Sequence, residues 1–268
     1  MTELDRTPVS QRMLVEQLRG LGLPAAPLVV VHTSFKAIGP VEGGPEGLIA
    51  ALRTALGPEG TLVMPGMSDD DDHPFDIAAT PCRAMGAVAD TFWRLPGVLR
   101  SDNPASFSAI GPLAPFITAP HPVAPPHGLD SPVGRVSALG GVVLLLGTGH
   151  SSNTTIHLAE VIARVPYRAR KHCIVNQGGA PVRVEYDETD HCCENFEQLD
   201  AWLRRERLQV EGTVGHGPAR LARSSDIVRA AVDHLRSDPC VLLHRQGAGC
   251  DECDLAWASI GEPASHGA

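Results

Sequence analysis

Two kinds of hydrophobic spacing alternate along the first third of the chain. Leu14, Leu18 and Leu21 share one helical face behind Thr7-Pro8, and Gly22 closes that segment. Leu28 to Val31 is an unbroken apolar run that reads as a buried strand, leading into His32-Thr33-Ser34-Phe35. After a loop carrying Gly39-Pro40 and Gly43-Gly44-Pro45, Leu48, Leu52 and Leu56 recur one turn apart and predict a helix over 46–56, stopped by Gly57. Residues 61–64 form the next predicted strand. Strand, helix and strand in succession argue for a parallel pair within an α/β fold.

Farther on, the polar loop at 65–81 contains Asp69-Asp70-Asp71-Asp72, and 84–94 reads as a helix. Prolines crowd 96–135, which predicts a long ordered loop layer with few regular elements. Residues 142–146 read as a central strand ending in Gly147-Thr148-Gly149-His150, followed by a helix over 154–162 with Asn153 as its N-cap. A hairpin is expected from 173–176 and 182–186 through Gln177-Gly178-Gly179, then helices at 194–206 and 225–235, a strand at 241–244 and a cysteine-containing tail. No repeat or clean linker divides the chain. The expectation is one domain over 1–268, of α/β class. Its central sheet is mixed and largely parallel, with helices on both faces, long Pro-rich loops and the Cys-containing C-terminal tail.

Composition narrows the function. Hydrophobic residues at 43% and charged residues at 20% are ordinary for a soluble globular chain. No uncharged apolar stretch is long enough to span a membrane, and Met1 to Arg12 has no apolar core, so neither a membrane span nor an export signal is expected and the chain is read as cytoplasmic. The formal charge is −9 and no basic stripe exists; the short stretch from Arg164 to Lys171 is broken by Pro166, which argues against a nucleic-acid partner. Without an export signal, the seven cysteines favour reduced thiols or a metal over disulfides.

The most informative segment is Gly147 to Glu160, just past the carboxyl end of a buried strand, the edge where open α/β sheets hold ligands. His157 lies one turn inside the predicted helix, with Glu160 three residues on and Thr154 three back, all on one face. A carboxylate beside an imidazole orients it and supports its charged form; Glu160 is the nearest candidate, although an acid from elsewhere in the fold would serve as well. Spacing alone also fits a surface pair or a core histidine.

The run Thr154-Thr155-Ile156-His157-Leu158-Ala159-Glu160, with Val165-Pro166-Tyr167 after it, resembles the aminoglycoside 3-N-acetyltransferase family. Val31-His32-Thr33-Ser34-Phe35, Gly43-Gly44-Pro45, Gly60-Thr61-Leu62-Val63-Met64-Pro65, Pro74-Phe75-Asp76, Asp90-Thr91-Phe92-Trp93-Arg94 and His127-Gly128-Leu129-Asp130-Ser131-Pro132-Val133 are similar too, so the likeness covers nearly the whole chain. Asp190-His191-Cys192-Cys193-Glu194 and Gly249-Cys250-Asp251-Glu252-Cys253 suggest its type IV branch, which acetylates apramycin and gentamicin.

The resemblance implies that acetyl-CoA and the antibiotic bind together, and that the antibiotic's 3-amine attacks the thioester directly. His157 would accept the amine's proton, Glu160 would hold the ring, and the hydroxyl of Thr155 or Thr154 would donate to the thioester oxygen or the departing sulfur. Coenzyme A would lie against His32, Thr33, Ser34, Phe35 and Lys36, with Gly43 and Gly44 allowing close approach. Without the resemblance, that glycine pair is a plain βα turn. Arg100 or Lys36 is expected to reach a phosphate. A polycationic antibiotic needs carboxylates, and Asp71, Asp187, Asp190 and Glu194 are carried over for that role from two acidic clusters that by themselves read as solvated turns. The family also implies a monomer or homodimer.

The cysteines raise a separate question. C-x-x-C at Cys250 and Cys253 is a common zinc half-site, and Cys192-Cys193 offers two more thiols. Adjacent thiolates rarely share one ion. A structural zinc site would therefore take one of that pair with Cys250, Cys253 and Cys173 or His191; the alternative is free cysteines. Two other functions compete: a zinc-dependent hydrolase using His32, His150, His157 and the acidic loop as ligands, and a binding protein that sequesters a cationic small molecule without turnover.

Overall fold

The structure is a computed structural model that describes residues 6–24 and 27–261; residues 1–5, part of the segment weighed as an export signal, and 262–268 lie outside the described residues. In chain order the first elements are α1 (Gln11–Gly20), β1 (Leu28–Thr33), α2 (Phe35–Ile38), α3 (Gly44–Leu56), β2 (Thr61–Pro65), α4 (Gly86–Phe92), β3 (Leu99–Arg100), β4 (Phe107–Ile110), α5 (Ala114–Ile117), α6 (Pro132–Ala138) and β5 (Val142–Leu146). The remainder are α7 (Thr155–Ala163), β6 (Ala169–Gln177), β7 (Ala180–Glu188), α8 (Gln198–Glu206), β8 (Gln209–Val214), β9 (Gly217–Arg223), α9 (Ser224–Ser237) and α10 (Asp251–Ala258).

Seven strands form one sheet in the order β3-β4-β2-β1-β5-β9-β8, and β6 pairs with β7 in a separate ribbon. Alternation along the central strands sends neighbours to opposite faces. Val29 and Val31 of β1, Leu62 and Met64 of β2, and Leu144 and Leu146 of β5 pack with Leu14, Leu18, Leu48, Leu52 and Phe92 of α1, α3 and α4. Leu28 and Val30, Val63, Val143 and Leu145 turn the other way, onto Val133, Ile156, Leu158, Leu199, Leu203 and Ile227 of α6 to α9. Helices thus cover both faces of a mixed sheet, as expected. Parallel pairing is confined to β2-β1-β5, however, and the flanking strands β3, β4, β8 and β9 pair antiparallel.

Local chemistry accounts for several boundaries. α1 begins at Gln11, not at Pro8, because the Ser10 hydroxyl accepts the Met13 N–H at 3.3 Å. The Pro-rich stretch holds more regular structure than expected: β3, β4, α5 and α6 all lie within or at the end of it. Prolines are compatible with this because Pro115 and Pro132 occupy the first turns of α5 and α6, where a missing N–H costs nothing. The β8-β9 hairpin is not signalled in the sequence, since most of β8 is exposed and carries no apolar alternation. Residues 241–244 form turns and not a strand, although Leu242 and Leu243 are buried there. The helix expected at 194–206 divides into a 3-10 turn, Cys193–Glu197, and α8. Among the described residues no helix is long and apolar enough to cross a membrane.

Candidate active site

The ends of β1 and β5 meet through Gly147, which has φ 69°; a Cβ there would lie 2.7 Å from the Ser34 carbonyl oxygen. The chain then turns into α7, whose first N–H, that of Thr155, donates to Asn153 Oδ1 at 3.2 Å. The helix thus starts one residue later than expected, and its N-cap is Thr154, without a side-chain cap, and not Asn153, whose side chain nevertheless takes up the first helical N–H.

On α7, His157 Nδ1 lies 2.6 Å from Glu160 Oε2. The other oxygen of Glu160 accepts the Tyr167 hydroxyl at 2.6 Å and His191 Nε2 at 2.7 Å. Glu160 is fully buried, and the His157 side chain retains 13% exposure. Burial alone would raise the Glu160 carboxyl; hydrogen bonds from His157 and His191 outweigh it and bring the value down to about 2. For His157 burial likewise opposes charge, but Cys193 and Glu160 hold the imidazole well above its ordinary range. Glu160 is thus a fixed anion that orients the ring and strengthens it as a base.

Three groups surround the imidazole that the sequence does not connect with it. Cys193 Sγ sits 3.6 Å from His157 Nε2. His127 stacks on His157 with ring centroids 5.5 Å apart, its Nδ1 buried without a partner among the described residues, and burial keeps it well below the ordinary histidine range. Phe196 packs edge-on at 5.1 Å. His191 and Cys193 did stand out as possible zinc ligands, and here their positions relative to α7 give them a different setting. The Thr155 hydroxyl is buried with no partner among the described residues, leaving it free to donate.

A cavity of about 890 Å³ opens against the amino end of α7, lined by His32, Thr33, Ser34, Phe35, Lys36, Met85, Gly86, Thr148, Ser152 and Thr154. It brings together the five residues expected at the coenzyme. Gly43 and Gly44 are not among its lining residues; they form the left-handed entry to α3, with φ 76° and 62°. Arg100 is not available for a phosphate. Its guanidinium binds the carbonyls of Gly66 and Thr80 and the Ser106 hydroxyl beneath the rings of Phe75 and Trp93.

The acidic residues separate into two groups. Asp190 pairs with Lys171 at 2.5 Å, and the charges of Asp71 and Asp190 both act on Glu188. Burial raises Glu188 to about 7, with Asp190 adding to the shift and His157 opposing it, so this carboxyl lies within electrostatic reach of the imidazole. Glu188 belongs to the expected cluster but was not chosen from it. Asp187 is engaged by Arg170 on the ribbon and by Arg168 just before it. Glu194 lies elsewhere: it is 78% exposed, and its carboxylate is 3.6 Å from His244 Nε2.

The cysteines also separate. Cys193 packs beside the α7 core, whereas Cys192, Cys250 and Cys253 cluster with Tyr167, Leu243 and Ala256. Among the described residues, the one group of metal-ligating atoms drawn close together is Cys192, His244 and Cys250; His32, His150 and His157 do not form such a group. His150 instead bonds Gln209 at 2.8 Å and Asn153 at 3.1 Å.

Residues 30–236 match the family model described as aminoglycoside 3-N-acetyltransferase. Aminoglycoside N(3)-acetyltransferase IV of Salmonella sp is 52% identical over 237 residues, which cover 88% of this chain and 91% of that protein. The crystal structure of a mutant aminoglycoside acetyltransferase AAC(3)-IVa in complex with a gentamicin matches with TM-score 0.92 at 52% identity, over 95% of this chain and 99% of that one. AAC-IIIb, solved as a binary complex with CoASH, matches with TM-score 0.79 at 26% identity, over 86% and 97% of the two chains.

Proposed function

Since this chain belongs to the aminoglycoside 3-N-acetyltransferase family, we propose that it moves the acetyl group of acetyl-CoA to the 3-amine of a 2-deoxystreptamine aminoglycoside of the apramycin or gentamicin type. Resistance to that antibiotic is the outcome, and the cytoplasm, where acetyl-CoA is made, is the site of action. The observation that carries this reading is His157 on α7, held at Nδ1 by a buried carboxylate, with Thr154 at the amino end of that helix lining the His32–Lys36 cavity and Glu188 within electrostatic reach of the ring.

The amine nitrogen adds to the thioester carbonyl, its proton passes to the imidazole, and the CoA thiolate departs. Glu160 keeps Nδ1 protonated, so Nε2 is the nitrogen that takes the proton. The Thr155 hydroxyl, without another partner among the described residues, donates to the thioester oxygen or to the sulfur as charge develops. No protein nucleophile is required. Lys36 and the hydroxyls of Thr33 and Ser34 suit a phosphate-bearing cosubstrate. Asp71, Glu188 and Asp190 suit a polycation, whose ammonium groups would compete with Lys171 for Asp190. Asp187 supports the ribbon that carries Glu188.

Release of free CoA, followed with a thiol reagent against an enzyme-only blank, tests the proposal across aminoglycosides with and without a free 3-amine. Turnover restricted to substrates bearing that amine supports it. Stoichiometric binding without CoA release would instead establish a sequestering protein.

A further inference from the structure

We infer that Cys192, His244, Cys250 and Cys253 form a structural zinc site that fastens the C-terminal helix α10 to the segment beneath the active-site imidazole. The donor atoms of Cys192, His244 and Cys250 all lie within 4.8 Å of one another. Zinc–sulfur bonds of ~2.3 Å in a tetrahedron put neighbouring sulfurs ~3.8 Å apart, so only a small contraction is needed. Cys253 completes the set. Its Sγ is 3.7 Å from His244 Nδ1 and accepts the His244 backbone N–H at 3.4 Å. Its own backbone N–H reaches the Cys250 sulfur. Three thiols and one imidazole make a Cys₃His donor set, typical of closed structural zinc and unlike catalytic sites, which keep an open position. Binding would release the three thiol protons to solvent and leave the histidine neutral.

The surroundings are those of a ligand set and not of four stray side chains. His244 presents Nδ1 to the sulfurs while Nε2 faces Glu194 at 3.6 Å, the carboxylate partner that fixes a metal-bound histidine's tautomer. The Trp257 indole N–H holds the His244 carbonyl at 2.8 Å. Tyr167, Leu243 and Ala256 form an apolar shell, and no disulfide joins any of these cysteines. Cys193, although adjacent in sequence, is excluded because its sulfur is turned to His157.

The location gives the clamp a consequence. Cys192 stands between His191, which holds Glu160 at 2.7 Å, and Cys193, which touches His157. Fixing Cys192 to the C-terminal segment therefore steadies both neighbours under α7. Metal binding itself does not depend on the acetyl-transfer reading; only the effect on turnover does.

The test is elemental analysis of the full chain purified under reducing conditions without chelator, together with cobalt substitution. About one zinc per chain and a thiolate-to-cobalt charge-transfer band of tetrahedral type are expected. Cys250→Ser and His244→Ala should lose the metal and Cys193→Ser should keep it. Chelation should lower the melting temperature of the wild type and leave that of Cys250→Ser unchanged. Absence of zinc together with failure to take up added zinc, a cobalt spectrum without thiolate bands, or a Cys192–Cys250 or Cys250–Cys253 disulfide in the reduced preparation would each overturn the inference. Because cobalt is read on the wild type, a variant that fails to fold leaves the test decisive. Zinc in a chain that releases no CoA would sink acetyl transfer alone, and CoA release without zinc uptake would sink the metal site alone.

Discussion

The two sides of His157 hold their charges in opposite ways. Toward the interior, Glu160 is fully buried and every contact it makes is short and fixed, to His157, Tyr167 and His191. Toward solvent, Asp71 is exposed and Asp190 is 44% exposed, paired with Lys171. Fixed charge in a low-dielectric setting shifts pKa values and sets geometry; exposed charge is screened and adjustable. The first suits a base that must stay aligned, and the second suits a site that must accept cations of varied shape.

The comparison predicts its largest effect at His157. His157→Ala should lower kcat/KM by ~10²–10⁴, the usual contribution of a general base, with the fold intact by circular dichroism. Glu160→Ala removes the anion from between three buried donors and should destabilise the protein by about 3–5 kcal/mol, read from denaturant unfolding. Loss of activity without loss of stability would show that Glu160 is less integral to the core than its contacts indicate.

Titration separates the regions further. With His157 as the proposed base, activity would need the free imidazole, and because His157 is held above its ordinary value, kcat/KM should climb with pH past neutrality, with an apparent pKa above 6.5. Glu160→Gln should move that inflection to lower pH. Stability follows the opposite course: the His157 contribution is complete below 6.5 and fades as pH rises through its raised value. The Glu160 contribution is complete above 4.5 and fades as pH falls toward about 2. The difference in melting temperature between wild type and Glu160→Gln should accordingly peak in the weakly acidic range and shrink on both sides. A flat difference would contradict the buried network.

On the solvent side effects should be smaller and confined to acceptor binding. Asp190→Asn should raise KM for the aminoglycoside about two- to five-fold, matching ~0.5–1 kcal/mol per exposed charge, with kcat and the KM for acetyl-CoA little changed and the effect fading in salt. Glu188 is half-buried and raised to about 7, so Glu188→Gln should raise that KM mainly at pH above this value, where the carboxylate is charged. The smallest change is expected for Asp187→Asn, since Asp187 is engaged by Arg170 on the same ribbon and by Arg168 just before it. A large loss of kcat there would mean that this carboxylate, and not Glu188, faces the reacting amine.

What the linear order of residues determined was local or repeated at short range. Apolar spacing gave β1, α3, β2, β5, α7 and the β6-β7 ribbon, and an i to i+3 step put His157 and Glu160 on one helical face, where they touch. The strand end His32–Lys36 lines a cavity because the carboxyl edge of an α/β sheet is where such spaces open. Only tertiary structure decided the rest. His127 and His191 come from loops 30 and 34 residues away from His157, and no spacing rule connects them to it. Adjacent Cys192 and Cys193 face different clusters because the backbone at the start of a 3-10 turn aims successive side chains apart. The β8-β9 hairpin was invisible for a related reason: its fit depends on the edge of β5, and its own exposed residues carry no apolar period. Period records which face of an element is buried; it does not record what that face meets.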